Sequence, residues 1–546
     1  MRIVIVGGVA GGMSCAARAR RLDESAEIIV IERGAHPSFA NCGLPYFVGG
    51  EITDERALLV QTPASLRAAL NLDVRPHSEV VAVDTVARTV TVAAADGTYT
   101  LDYDALVLSP GASAVRPPIP GIDAPHVQTL RTVEDAVALR DRVTAGTRAV
   151  VLGAGFIGVE AAEALAQRGV EVALVELAAH PLPPVEPELA SLVADELRRL
   201  GIDVRTGIAA SAVDGDAVVL EDGTRLPADV VVLSVGVRPD TAVFEDAGIA
   251  CERGAIVVDE HGRTSADRVW AAGDATLSVD AVTGIRRPVA LAGPANRAGR
   301  LIADDILGTG RRVPPPVGTA IVRVGELTAA LTGANRASLR AAGIAFETIH
   351  LHPNQHAGYF PGVARLSMVV HFGADDGRLL GAQIVGTEGV DKRIDVIATA
   401  MRFGAVVDDL IDLDLAYSPP YGQAKDAVNL TGLVGQNVRT GTLRLWYADD
   451  LEAVRAEALV LDVRRADEVA KRALPDALHI PHTELRERLD EVRAAAAGRP
   501  VRVLCQSGVR SAIAHRVLTQ AGFDSASLSG GMLTLHATLG DHPFPP

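Results

Sequence analysis

Residues 148–177 read RAVVLGAGFIGVEAAEALAQRGVEVALVEL, and the order of patterns within them decides the fold. RAVVL is an apolar run of strand length. GAGFIG follows it, with glycines at Gly153, Gly155 and Gly158. The alanine- and leucine-rich residues after the turn carry a helical period. A second apolar run, EVALVE, ends on Glu176. Strand, glycine turn, helix and strand form a βαβ unit, whose strands are parallel and whose crossover is right-handed. The same order opens the chain, where RIVIV, GGVAGG, AARARRL and EIIVIER succeed one another within residues 2–33. Two such starts predict an α/β protein with two Rossmann-like modules, not a short-period solenoid.

The segments around these units extend the pattern. Residues 86–112 read as strands with a turn at Asp96-Gly97, then a buried strand that ends at Gly111. Residues 217–239 have the same form after the second module, and TSADRVWAAGDA (264–275) is one more apolar strand ending in Gly-Asp. RRVPPPVG (311–318) is the clearest boundary, because three consecutive prolines fit neither a helix interior nor a central strand. Beyond it, residues 321–333 and 366–386 suggest an antiparallel sheet, followed by a helix over 392–404. From about residue 450 the pattern starts again, with ALVLDVR, PVRVLCQSGVRSAIAHRVLTQAGF and SASLSGGM, as a small α/β domain with its own core.

Composition narrows the class. The chain has 546 residues, too many for one core, with 48% hydrophobic and 22% charged residues. A formal charge of −16 argues against nucleic acid as a partner. No run is long and apolar enough to span a bilayer, and the opening residues do not form a signal peptide. The four cysteines, Cys15, Cys42, Cys251 and Cys505, are widely spaced and form neither a disulfide framework nor a zinc site. The expected compartment is the reducing cytoplasm.

The glycine turns carry the first chemistry. In a Rossmann unit they let backbone N–H groups approach a pyrophosphate, and an acid after the second strand holds a ribose hydroxyl. The second turn fits this pattern, with Gly153, Gly155, Phe156, Ile157 and Gly158, Glu176 as the acid, and Gly236 after a later strand. Glu176 repels a 2′-phosphate and ELAAHPLPP offers no arginine to receive one, so NADH is favoured over NADPH. The first turn departs from the pattern: Gly7, Gly8, Gly11 and Gly12 are present, but Val9 stands where the middle glycine belongs. Glu32 is its acid, with Arg33 beside it. Ser109, Gly111, Asp274 and Ala292 complete the candidate set, Asp274 on the ribityl or pyrophosphate side of a flavin. Two Rossmann units and a strand–Gly–Asp element suggest one FAD and one pyridine nucleotide.

A lone cysteine is by default a small buried hydrophobe, yet Cys42 lies in HPSFANCGLPYFVGG (36–50), polar and glycine-rich, with no second cysteine in the motif. Cys505 follows an apolar strand and precedes a helix. A helix N-terminus and a loop of amides there would cradle a thiolate or persulfide, with charge from Arg510 and a tight turn at Gly508. Asp462 and Arg464 are expected to brace that domain, and Cys251 to be structural.

The motifs SFANCGLPY, LSPGAS, AGFIGVE, AAGDA, HAGYFPG and DLAYSPPYGQAKD resemble those of the single-cysteine pyridine nucleotide–disulfide oxidoreductases, within them coenzyme A-disulfide reductase. LDVR, HIPHTEL and CQSGVRS resemble a rhodanese domain. The whole is similar to coenzyme A-disulfide reductase–rhodanese fusions, which include NADH-dependent persulfide and polysulfide reductases. The resemblance implies an FAD-binding domain over 1–112 and 236–312, an NAD-binding domain over 113–235, an α+β dimerisation domain over 313–440 and an α/β rhodanese domain over 450–546. It implies a homodimer in which Tyr359 and Tyr417 reach Cys42 from the other subunit. Tyr359 is followed by Phe360 where relatives often carry a second tyrosine. It also implies coenzyme A held near Arg18, Arg21, Ser38, Asn41 and Arg67. The missing thiol partner of Cys42 is then supplied by the substrate, a coenzyme A persulfide, polysulfide or coenzyme A disulfide. Two rivals stay open: an NADH oxidase or peroxidase that cycles Cys42 through a sulfenic acid, and a sulfur carrier whose reductase half is a scaffold.

Overall fold

The computed structural model describes residues 1–542 and 544; positions 543, 545 and 546, at the end of the expected 450–546 segment, lie outside the described residues. The chain forms two compact units, residues 1–181 with 197–318 and residues 182–196 with 319–546.

The first unit contains two five-stranded parallel sheets. One runs in the order Val269–Ala271, Ala105–Leu108, Arg2–Val6, Glu27–Ile31, Asp73–Arg75. Because strand side chains alternate, Ile3, Ile5, Ile28 and Val30 face the helices Ala10–Leu22 and Ala292–Ile306, while Val4, Val6, Ile29 and Ile31 face Val80, Val90 and Val92 of a three-stranded antiparallel sheet. Each such fully buried side chain contributes about 1.5–3 kcal/mol. The hairpin turn falls at Gly97, whose φ of +128° no bulky residue adopts cheaply. The second sheet runs Asp203–Thr206, Glu171–Glu176, Arg148–Leu152, Val230–Leu233, Val127–Gln128, so residues 148–176 are the predicted βαβ unit. The proline run 311–318 lies in neither helix nor strand.

The second unit holds a five-stranded antiparallel sheet in the order Ala320–Val324, Leu327–Gly333, Leu379–Gly386, Ser367–Gly373, Phe346–Leu351. All of Leu379–Gly386 is buried, and Val390–Arg402 and Ala427–Arg439 pack against this core. Residues 182–196, inside the segment expected to bind NAD, belong to this unit for a polar reason. Glu186 takes Arg336 Nε at 2.7 Å and His371 Nε2 at 3.1 Å, and Glu188 takes His350 Nε2 at 2.8 Å. Burial pushes Glu186 up, but its bond to His371 and the Arg336 charge outweigh that and hold it at about 2.

The tail is a parallel sheet ordered Leu445–Trp446, Ser525–Leu528, Val501–Leu504, Leu459–Asp462, Leu478–His479. Its first strand precedes residue 450. Leu445–Trp446 pairs with Ser525–Leu528, and Trp446 Nε1 donates to Val503 O at 3.2 Å. A two-residue strand is too short to show a period of its own.

Candidate functional site

The two glycine turns repeat one geometry. Glu32 Oε2 accepts from Gly8 N–H and Oε1 from Gly34 N–H, both at 2.7 Å. Glu176 Oε2 accepts from Ala154 N–H at 2.6 Å and Oε1 from Ala178 N–H at 2.8 Å. Gly7 and Gly153 both have φ of +94°, and a Cβ on Gly12 or Gly158 would lie 1.9 Å from the carbonyl oxygen of Gly7 or Gly153. These glycines let the helix seat on the turn. Val9 takes the place of Gly155 because the position needs no positive φ: Val9 has φ −113° and Gly155 −70°. That is why the first turn survives the substitution. Helices Ala10–Leu22, Phe156–Gln167 and Ala292–Ile306 all begin without a side-chain cap, so their first N–H groups are available to ligand oxygens. Nothing lies within 4 Å of a Cβ built at Gly155, Gly111 or Gly236. The residues therefore fit two dinucleotides.

Packing and ligand glycines can be told apart. Gly158→Ala is expected to cost about 3 kcal/mol of stability, because backbone must move. Gly155→Ala fits the fold and is expected to keep stability while weakening nicotinamide binding. Denaturant unfolding and NADH titration of the two variants check the contrast.

Cys42 is exposed, in the short 3₁₀ turn Asn41–Gly43, directly before helix Leu44–Gly49. Its N–H donates to Asn41 Oδ1 at 3.1 Å. Partial burial pushes the thiol up, and the charges of Glu160 and Asp274 push it the same way. Side chains of this unit thus work against the thiolate. Asp274 is itself raised by burial, opposed by Arg131 at 3.8 Å. Glu160, which sequence reading missed, accepts from Tyr46 OH at 3.2 Å. Cys15 is fully buried and raised to about 12 by desolvation, which makes it inert. Cys251 is half-buried.

The coenzyme A candidates and the remaining first-turn candidates divide. Arg18 Nε is bound to Asp304 at 2.6 Å, and Arg21 donates to Ala17 O in its own helix. Arg33 pairs with Asp240 at 2.5 Å. Arg67 is exposed, and Ser38 holds a φ of +52° beside Gly8, to whose oxygen it donates at 2.7 Å. Ser109 Oγ lies 2.7 Å from a Cβ built at Gly11, so that glycine faces a crowded corner. In the second unit Tyr359 and Tyr417, 58 positions apart, meet hydroxyl to hydroxyl at 3.2 Å, and both are exposed. The bond to Tyr417 raises the Tyr359 phenol.

Cys505 is wholly buried at the end of Val501–Leu504. Gly508 N–H donates to its Sγ at 3.2 Å, and Ser511 Oγ lies 3.3 Å from Sγ. Ser527 Oγ donates to Ser511 Oγ at 2.8 Å. Gly508, with φ +93°, is the N-cap of helix Val509–Gln520, as its place in the motif requires. Arg510 is gripped by Glu468 at 2.6 and 2.7 Å, and that bidentate bond holds the Glu468 carboxyl at about 2. Asp462 and Arg464 form the expected brace, buried and bonded at 2.6 Å. Glu468 was not legible in sequence, since it precedes the cysteine by 37 positions in a short helix, Ala466–Val469.

The sequence of residues 1–299 matches the family model of pyridine nucleotide-disulphide oxidoreductases, residues 319–428 that family's dimerisation domain, and residues 445–537 the rhodanese-like domain. Coenzyme A disulfide reductase of Staphylococcus epidermidis is 33% identical over 441 residues, 80% of this chain and all of that protein. The crystal structure of reduced Bacillus anthracis CoADR-RHD superposes with a TM-score of 0.97 at 38% identity, covering 100% of this chain and 99% of that one. A NAD-dependent persulfide reductase from A. fulgidus superposes with a TM-score of 0.91 at 35% identity, covering 98% of this chain and 100% of that one.

Proposed function

The chain belongs to the pyridine nucleotide-disulphide oxidoreductases, and from that premise we propose an enzyme that uses NADH to reduce the sulfur–sulfur bond of a coenzyme A persulfide, polysulfide or coenzyme A disulfide. The observation that carries the sulfur reading is the paired thiol arrangement: an exposed Cys42 in the nucleotide-binding unit, and a Cys505 whose Sγ accepts a backbone N–H in the rhodanese-like tail.

Gly7, Gly8, Glu32, Asp274 and the start of the helix at Ala292 would hold FAD, and Gly153, Gly155 and Glu176 would hold NADH; bound there, the pair would supply the two electrons for reduction. Cys42 Sγ attacks one sulfur of the substrate; a bond to Cys42 forms as the substrate bond breaks, and the other sulfur leaves as thiolate or hydrosulfide. Tyr359 and Tyr417, joined through their hydroxyls, donate a proton or hydrogen bond to the leaving sulfur across a homodimer. The exposure of both rings supports a surface that a second subunit covers. Cys505 carries sulfane sulfur, its anion held by the Gly508 N–H. The cysteine usage supports a reducing cytoplasm, and no helix among the described residues is long and apolar enough to cross a membrane.

Anaerobic NADH consumption with coenzyme A persulfide and with coenzyme A disulfide tests the reading. Turnover of either supports it, and sulfide release with the persulfide identifies a sulfane reductase. Turnover of oxygen or peroxide alone overturns it. Glu176 makes a second result testable: kcat/KM with NADPH is expected to fall roughly a hundredfold below NADH, because a phosphate beside a carboxylate is repelled. Glu176→Ala should narrow that ratio.

A further inference from the structure

A cavity of about 620 Å³ lies inside the second unit, between the antiparallel sheet, the helix that carries Glu188 and the tail. It belongs to neither glycine turn and contains no residue of the Cys42 segment. Its lining includes Gln506, the residue after Cys505, with Met532 and Leu533. These residues are tied to the thiol loop, because Met532 N–H donates to Cys505 O at 2.8 Å and Leu533 N–H to Gln506 O at 3.1 Å. Its volume is that of a small-molecule site.

The charges on its wall are unbalanced. Its carboxylates are already engaged: Glu188 is bound by His350 and Arg336, and Glu468 by Arg510. Its cations, apart from Arg464 bonded to Asp462, are less so. Arg365 and Lys471 are exposed and make no ion pair among the described residues. Arg472 has one carboxylate partner, Asp541, at 3.0 Å, with both groups open to solvent, and its guanidinium lies 5.2 Å from the centre of the Phe544 ring. In a chain of net charge −16, a pocket with an excess of unpaired cations selects anions.

We propose that this cavity is the acceptor site of the tail: it takes a small thiol that bears a phosphate or carboxylate, with the anion on Arg365, Lys471 and Arg472 and the thiol toward Gln506. The proposal rests on the reading of Cys505 as a sulfane carrier. The Cys505 thiolate first attacks a terminal sulfur of a polysulfide; a sulfur–sulfur bond to Sγ forms as one in the polysulfide breaks, and the shortened polysulfide leaves with the electron pair. The acceptor thiolate attacks that sulfur, a sulfur–sulfur bond forms on the acceptor, and the bond to Cys505 breaks. The electron pair returns to Sγ as thiolate. The proton released by the acceptor thiol passes to solvent, and the acceptor leaves as a persulfide. The sulfane sulfur moves without net oxidation or reduction, so no further redox partner is needed.

The test loads the full-length protein with polysulfide, removes the excess, and follows loss of sulfur from the Cys505 peptide by mass spectrometry without NADH. The acceptors are 4′-phosphopantetheine, pantetheine and glutathione. The phosphorylated thiol is expected to react about tenfold faster than pantetheine, the effect of a charged contact. Lys471→Ala/Arg472→Ala should remove that advantage and leave the pantetheine rate unchanged, and Arg365→Ala should reduce it. An equal gain for glutathione, lost in the same variants, supports the site and assigns the anion to a carboxylate. Equal rates for both pantetheine forms, or an advantage that survives all three substitutions, overturns the proposal. Failure of Cys505 to gain sulfur at all overturns the carrier reading instead, and the acceptor site falls with it. Normal loading of the variants shows that their tail is folded.

Discussion

Cys42→Ser is expected to lower NADH-dependent reduction of coenzyme A disulfide by ~10³-fold or more while flavin stays bound. A serine hydroxyl cannot form the sulfur–sulfur bond on which the proposed reaction depends. Cys42 is exposed and its N–H is spent on Asn41, so the change disturbs no core packing. The pH profile adds a sharper test. Burial, then Glu160 and Asp274, raise the thiol, so the rising limb of activity with pH is displaced to higher pH than an unperturbed cysteine would give. Removing a negative charge must move it back: Glu160→Gln should shift the limb to lower pH. A limb that stays in place in Glu160→Gln, measured as kcat/KM against pH, would refute the electrostatic account. Activity retained in Cys42→Ser would refute the thiol chemistry.

Cys505→Ser is expected to abolish sulfur loading of the tail, with no residual persulfide on that peptide, and to leave NADH-dependent turnover of coenzyme A disulfide unchanged. The reason is the separation of the two thiols between compact units, with Cys505 enclosed in its own parallel sheet. Serine retains the contacts to Gly508 N–H and Ser511, so the loop should keep its shape. Loading measured by mass spectrometry and turnover measured by NADH absorbance check both halves. Loss of disulfide turnover in this variant would mean that the tail takes part in the reduction itself, and the division between the thiols would fall.

Much of the site was legible because local rules suffice for it. The glycine at 153 is needed for its φ of +94°, and the acid at 176 follows from where the second strand must end. Gly508 before a helix is a backbone requirement visible in seven letters. Val9 was a real ambiguity: one letter does not reveal that its position has φ −113° and needs no glycine. Glu160, Glu468 and Ser527 left no signal, since each reaches its partner across elements distant in sequence. The resemblance placed Arg18 near coenzyme A, yet folding brings Asp304, 286 positions away, onto it.

By itself the sequence determined the α/β class, the two βαβ units, the proline boundary, the antiparallel sheet and the helix-capped tail thiol. Strand period, glycine turns and proline act within a few residues, so a linear reading captures them. Only the tertiary structure decided which charges are spent and which are free. It drew residues 182–196 into the second unit through Glu186 and Glu188. It joined Tyr359 to Tyr417, and it left Arg365 and Lys471 on a cavity wall with no ion pair among the described residues. Ion pairs and cavities depend on distances between segments that the chain order does not encode, and charges interact strongly only after folding has brought them within a few ångströms.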